Sequence, residues 1–144
     1  KVIIWAVYRY DIQEIERTLG EKYGKESVAT YYGDTKDNLR QSIVDRFMDA
    51  DDPLRFFVGN PKTGGYGLTL TSSHTVVYYS NDYSLEVRLQ SEDRAHRIGQ
   101  TSKVTYVDLM ADHTIDEKIV KALNAKIDLA SQVMGEDPKK ILFG

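Results

Sequence analysis

Leu54-Arg-Phe-Phe-Val-Gly59 is a short apolar run that breaks into Asn60-Pro-Lys-Thr-Gly-Gly-Tyr-Gly67, a loop with three glycines in its last four positions. A strand that ends in such a loop is the repeating step of an open α/β sheet. Outward on the N-terminal side, the acidic turn Asp49–Pro53 closes a stretch where Leu39, Ile43 and Phe47 recur at helical spacing. Before it, Ser27–Tyr32 reads as a strand stopped by Gly33-Asp34. Further back, Ile12, Ile15 and Leu19 mark a helix with Asp11 as its cap, ended by Gly20 and Gly24. Val2–Tyr8 is continuously apolar, as expected of a strand buried on both faces.

On the C-terminal side, Thr75–Tyr79 is a fourth strand and Ser84 to about Ile98 a third helix. Val104–Met110 is a fifth strand. Thr114 opens a last helix to about Met134, with Glu117 three residues on as a capping box. The spacing therefore predicts an α/β domain over residues 1–134, a mostly parallel sheet of five or six strands with helices on both faces, and a tail at 135–144. In such sheets chemistry collects beyond the carboxyl ends of the strands. The loops to watch are then Arg9–Asp11, Gly33–Lys36, Asn60–Gly67, Ser80–Ser84 and Ala111–His113.

Composition narrows the classes. The 144 residues are 41% hydrophobic and 28% charged, with a net charge of −3 from 19 Lys and Arg against 22 Asp and Glu. An autonomous DNA-binding module would be more basic, so any nucleic-acid contact is local and shared with another domain. With no cysteine, thiolate metal sites and disulfides are excluded. No run approaches the roughly 18 apolar residues of a membrane span. A chain that opens on Lys1-Val-Ile-Ile-Trp5 without Met reads as excised from a longer one.

Gln90-Ser-Glu-Asp-Arg94-Ala-His-Arg97-Ile-Gly-Gln100 carries the most chemistry. On a continuous helix Gln90, Arg94 and Arg97 share one face, a donor array suited to phosphate oxygens. The plainer reading is a solvated charged face, with Glu92 and Asp93 pairing with the arginines. The whole string resembles motif VI of SNF2-type ATPases, close to Q-A-E-D-R-A-H-R-I-G-Q, from which only Ser91 departs. Lys62-Thr-Gly-Gly-Tyr-Gly-Leu-Thr-Leu70 is similar to motif V of that family, roughly A-G-G-x-G-I-N-L, with Thr63 and Thr69 in place of the alanine and asparagine. Tyr32-Gly-Asp-Thr35, followed by Arg40, Ile43 and Phe47, resembles the family's strand ending in Gly-x-Thr before a helix with Arg and Phe. Two stretches differ: Trp5-Ala-Val7 replaces Phe-Ser-Gln, and Ser80-Asn-Asp-Tyr-Ser-Leu85 lacks the Asn-Pro of the segment before motif VI.

The resemblance covers the chain to about residue 130. It implies the second, C-terminal RecA-like lobe of an SNF2-type superfamily 2 helicase or translocase, a three-layer P-loop-NTPase-like domain. On that resemblance Arg94 and Arg97, with Gln90, act on the γ-phosphate of ATP. Gly65, Gly67 and Asp93 line the nucleotide. Gly33, Thr35, Arg40, Lys62, Thr63 and Gly64 touch the DNA backbone. ATP and Mg2+ are held mainly by an N-terminal RecA-like lobe, and duplex DNA is the other partner, with no membrane. No metal ligand is expected here. His74, His96 and His113 lack ligand spacing, and Gly20-Glu-Lys-Tyr-Gly24-Lys25 is not a Walker A loop. The differing stretches suggest a phage or bacterial member, cytoplasmic and nucleoid-associated, or a nuclear protein if eukaryotic. Two alternatives stand beside the motor: a non-catalytic RecA-like interaction module, and a free-standing Rossmann-like binder, which the lack of G-x-G-x-x-G disfavours. Most of the ten tyrosines are expected in the core.

Overall fold

A computed structural model describes residues 1–63 and 68–135 of the chain. Strands β1 (Val2–Trp5), β2 (Val28–Tyr31), β3 (Phe56–Gly59), β4 (Thr75–Tyr78) and β5 (Thr105–Asp108) form one sheet in the order β2-β3-β1-β4-β5. Every neighbouring pair is parallel. The helices are α1 (Arg9–Tyr23), α2 (Asp37–Met48), α3 (Leu85–Asp93) and α4 (Ile115–Met134), with a single 3₁₀ turn at Lys25–Ser27. This is the expected RecA-like α/β architecture with five strands, each a residue or more shorter than its apolar run.

Alternation along the strands divides the core into two layers. Ile3 and Trp5 join Tyr31, Phe57, Val76 and Tyr78 on one face, closed by Phe47 of α2 and by Ala95. There the aromatic rings interlock: Phe57 stacks on Tyr31 at 5.4 Å and meets the edges of Phe47 and Trp5 at 5.5 and 6.0 Å. On the other face Ala6, Val28 and Val58 pack against Ile12, Ile15 and Leu19 of α1. Beyond α1, Ile4, Val77, Tyr79 and Leu109 line an open groove shared with Tyr10. Because the sheet is all-parallel, the loops after each strand leave from one edge. Asn60 ties two of them, its side chain donating to the Val7 carbonyl at 3.0 Å and its amide to the Tyr31 carbonyl at 3.2 Å.

Several local expectations are corrected. Asp11 does not cap α1. The cap position is Tyr8, without a side-chain bond, and Asp11 lies in the first turn, where a carboxylate still suits the helix dipole. Thr114 occupies the cap position of α4, but its hydroxyl donates to the Ala111 carbonyl, and Glu117 accepts from the His113 amide. The reciprocal capping box therefore does not form, and His113 stands at a positive φ of 58°. Leu39 is exposed, although Phe47 of the same helix is fully buried. Tyr8, Tyr10, Tyr23, Tyr79 and Tyr83 are exposed as well, against the expectation that most tyrosines are core; Tyr31 and Tyr78 are buried. The third helix stops at Asp93, five residues before the expected end.

Candidate functional site

The early end of α3 shapes the site. Ser84 caps its start, accepting from the Val87 amide at 3.3 Å. In a continuing helix the Arg94 carbonyl would receive the amide four residues on. Here it accepts from the Leu70 amide at 2.8 Å, and Gly99 turns the chain at a φ of +100°. The Gln100 side-chain amide then spans the carbonyls of Thr71, Ser73 and Ala95 at 3.2, 2.8 and 3.1 Å. Residues 94–100 are therefore a folded turn docked on the segment 68–73. Helical backbone reaches Arg94, so Gln90 and Arg94 keep their helical spacing, whereas Arg97 lies past the helix end, where the Leu70 amide takes the carbonyl that a continuing helix would use.

The three side chains accordingly differ in setting. Gln90 stays on the helix and donates to Glu86 at 3.2 Å. Arg94 is 5% exposed. Burial pushes its pKa down against the pull of the neighbouring Asp93 carboxylate, and the charge of Arg97 lowers it further. It remains a cation at neutral pH. Arg97 is half-buried and donates to the Leu68 carbonyl at 3.1 Å. Among the described residues that bond uses one N–H of the five a guanidinium carries.

At the end of β2, Thr35 closes the loop expected to meet DNA. Its hydroxyl accepts from the Tyr32 amide at 3.0 Å and donates to the Thr30 carbonyl at 3.1 Å. Gly33 is exposed, and a side chain there would meet nothing within 4 Å. The Arg40 guanidinium donates to the Thr35 and Tyr32 carbonyls at 3.2 and 3.4 Å and lies 5.4 Å from the Tyr31 ring centroid.

Lys62 and Thr63 sit in the neighbouring loop after β3, where the Asn60 side chain accepts from the Lys62 amide at 2.8 Å. Lys62 is exposed, and its ammonium lies 3.0 Å from Asp82 of the loop after β4. Gly64, Gly65 and Gly67 lie outside the described residues. Trp5 and Ala6, which stand where the resemblance would place polar DNA contacts, are buried. Among the described residues no three His, Cys, Asp or Glu side chains gather as a metal site. No helix among them is long and apolar enough to cross a membrane.

The largest cluster was not visible in the sequence. Arg88 grips Asp108 with two N–H groups at 2.6 and 3.0 Å, donates to Asn81 at 2.8 Å and reaches Glu92 at 3.4 Å. Its guanidinium lies 3.6 Å from the centroid of the Tyr78 ring. Burial alone would lower its pKa, but the Asp108 hydrogen bonds and the surrounding charges hold it above the ordinary value. Glu92 is therefore buried beside Arg88. Ser91, the one departure from the motif, bridges the Tyr78 hydroxyl and the Arg88 carbonyl, each at 2.7 Å.

Residues 1–99, which take in both arginines of the turn, match the family described as the helicase conserved C-terminal domain. The ATP-dependent helicase fft2 of Schizosaccharomyces pombe is 32% identical over 143 residues, 98% of this chain and 11% of that protein. Helicase SWR1 of Saccharomyces cerevisiae is 36% identical over 104 residues, 72% of this chain and 7% of that protein. Among solved structures, the crystal structure of the C-terminal part of the Fun30 ATPase domain is similar, with a TM-score of 0.76 and 28% identity. The match covers 85% of this chain and 39% of that one. The chain thus spans 11% and 7% of the two curated relatives' lengths.

Proposed function

The chain belongs to the helicase C-terminal domain family, in its SNF2-type branch, and from that membership we propose that it is the second lobe of an ATP-driven motor on duplex DNA. ATP and Mg2+ are held mainly by an N-terminal RecA-like lobe. Gly65, Gly67 and Asp93 face the nucleotide from this side. Arg94 and Arg97 of the arginine turn act on the phosphoryl group as it transfers, where fixed positive charge lowers the barrier. Gln90 completes the set. Gly33, Thr35, Arg40, Lys62, Thr63 and Gly64 meet the phosphodiester backbone, so sequence preference is low. The relatives named above are yeast proteins, which gives no support to a phage or bacterial source; a nuclear site of action is the reading they favour.

The observation that carries this reading is the turn at 94–100. Seven residues are folded back on the chain by long-range bonds to Leu68, Leu70, Thr71 and Ser73, and the half-buried Arg97 guanidinium donates one of its five N–H groups to the Leu68 carbonyl. A non-catalytic interaction module is the second reading, favoured by the burial of Arg94, which suits a structural arginine. Steady-state ATP hydrolysis with duplex DNA separates the two. The chain alone has no phosphate cradle and is expected to show no turnover, whereas the polypeptide with both lobes shows DNA-stimulated turnover. Robust hydrolysis by the repurified chain, or none by the two-lobe protein, contradicts the motor.

A further inference from the structure

Three segments meet at one buried guanidinium. Arg88 of α3 holds Asp108 at the end of β5, Asn81 of the loop after β4, and Glu92 one turn further along its own helix. Asn81 also donates to Asp108 at 3.0 Å. Its neighbour Asp82 accepts from the Ser84 amide at the start of α3 and faces Lys62. The β4 loop is therefore bonded both to the residue expected on DNA and to the helix that leads into the arginine turn.

Cohesion alone does not call for this arrangement. Buried ion pairs contribute little net stability compared with apolar residues of similar volume. What a bidentate fork supplies is direction, since its two parallel bonds fix the plane of the guanidinium. The Tyr78 ring holds the opposite side of that plane, and Ser91 locks the ring's hydroxyl to the helix backbone. From Arg88 to Arg94 is six residues, about 9 Å of helix axis. Any tilt of α3 at Arg88 is carried into the turn.

We propose that Arg88 is a positioning residue: its fork, shared among Asp108, Asn81 and Glu92, sets the placement of the turn that bears Arg94 and Arg97 and ties it to the DNA-facing loops. The inference rests on the motor reading above. Misplacement by about 1 Å can cost up to about a hundredfold in rate without a change in ground-state binding. Two variants probe it in the full-length polypeptide. Arg88→Lys keeps the charge beside Asp108 and loses the fork. Asn81→Ala leaves the Arg88–Asp108 pair and cuts the link to the β4 loop. Melting temperature, KM for ATP, DNA affinity and DNA-stimulated kcat are measured for each, beside Arg94→Ala and Arg97→Ala. The expected result is a fall in kcat of about tenfold to a hundredfold in both variants, with KM and DNA affinity within about threefold of the parent and the melt preserved. Parental kcat in Arg88→Lys and Asn81→Ala, with the finger variants inactive, overturns the proposal and leaves the motor standing. A loss of activity that only tracks unfolded protein overturns it too, making Arg88 structural. If Arg94→Ala and Arg97→Ala also turn over normally, the motor reading fails and takes this inference with it.

Discussion

Single side chains in the carboxyl-edge loops divide into those spent on the fold and those free for a partner. Arg40, at the start of α2, is shared between the two: it remains a proposed DNA contact, yet its guanidinium already closes the β2 loop through two carbonyls and covers the Tyr31 ring. Lys62 belongs to the second, exposed and paired with Asp82. Replacing Lys62 with alanine is expected to weaken duplex binding equally across sequences and to reduce the salt slope by about 0.9, one phosphate contact. Titrations of unrelated duplexes at several salt concentrations check this, and an unchanged slope removes Lys62 from the DNA contacts. Gly59 shows the opposite extreme. A methyl group there would lie 2.7 Å from the Tyr31 carbonyl oxygen and 3.0 Å from the Trp5 ring. Gly59→Ala should therefore cost about 1–3 kcal/mol, seen as a lower denaturant midpoint. A neutral result would mean that β2 and β3 can separate locally.

Among the elements, the strands were legible in the sequence and the functional turn was not. Runs such as Val2–Trp5 and Phe56–Gly59 are apolar because a parallel strand is covered on both faces, and that requirement is local enough to read. The end of α3 is set by partners 24 to 29 residues away: the Leu70 amide, the Leu68 carbonyl and the carbonyls reached by Gln100. Nothing within Arg94–Gly99 opposes a helix until Gly99, so helical periodicity ran past the true boundary. The Arg88 cluster was hidden for the same reason, its partner Asp108 lying 20 residues on in another strand. Ser91 looked like a blemish in the motif and proves to be the cover for the Tyr78 hydroxyl.

At the end of α2 the acidic turn has a definite electrostatic role. Asp52 accepts from the Leu54 amide at 2.9 Å and from Arg46 at 3.2 and 3.3 Å, which holds its pKa below the ordinary 3.8. A carboxylate depressed in the folded state stabilises above its unfolded value, and that contribution is lost as the pH falls through the folded one. Asp52→Asn keeps the acceptor and loses the charge. Its urea midpoint should lie below the parent's at pH 7, with the gap closing as the pH drops below about 4. A gap that stays constant down to pH 2 would show that the charge contributes nothing.

For the molecule as a whole, family membership and fold rest on 99 matched residues and on a sheet that reproduces a known C-terminal lobe. The central functional claim is narrower: two arginines on a tertiary turn stabilise a transferring phosphoryl group. On the proposed reading, a net charge of −3 and a handful of backbone contacts should leave this lobe with weak, salt-sensitive DNA affinity by itself. The same proposal puts its contribution in catalysis shared with the N-terminal lobe. The most direct measurement is DNA-stimulated turnover, ATP affinity and melting temperature for Arg94→Ala and Arg97→Ala in the two-lobe protein. Arginine fingers are worth about 10³ to 10⁵ in rate, so the account predicts a loss of that order, with ATP affinity within about tenfold and a parental melt. Near-parental turnover in both variants, or a loss that follows a lowered melt alone, would contradict it.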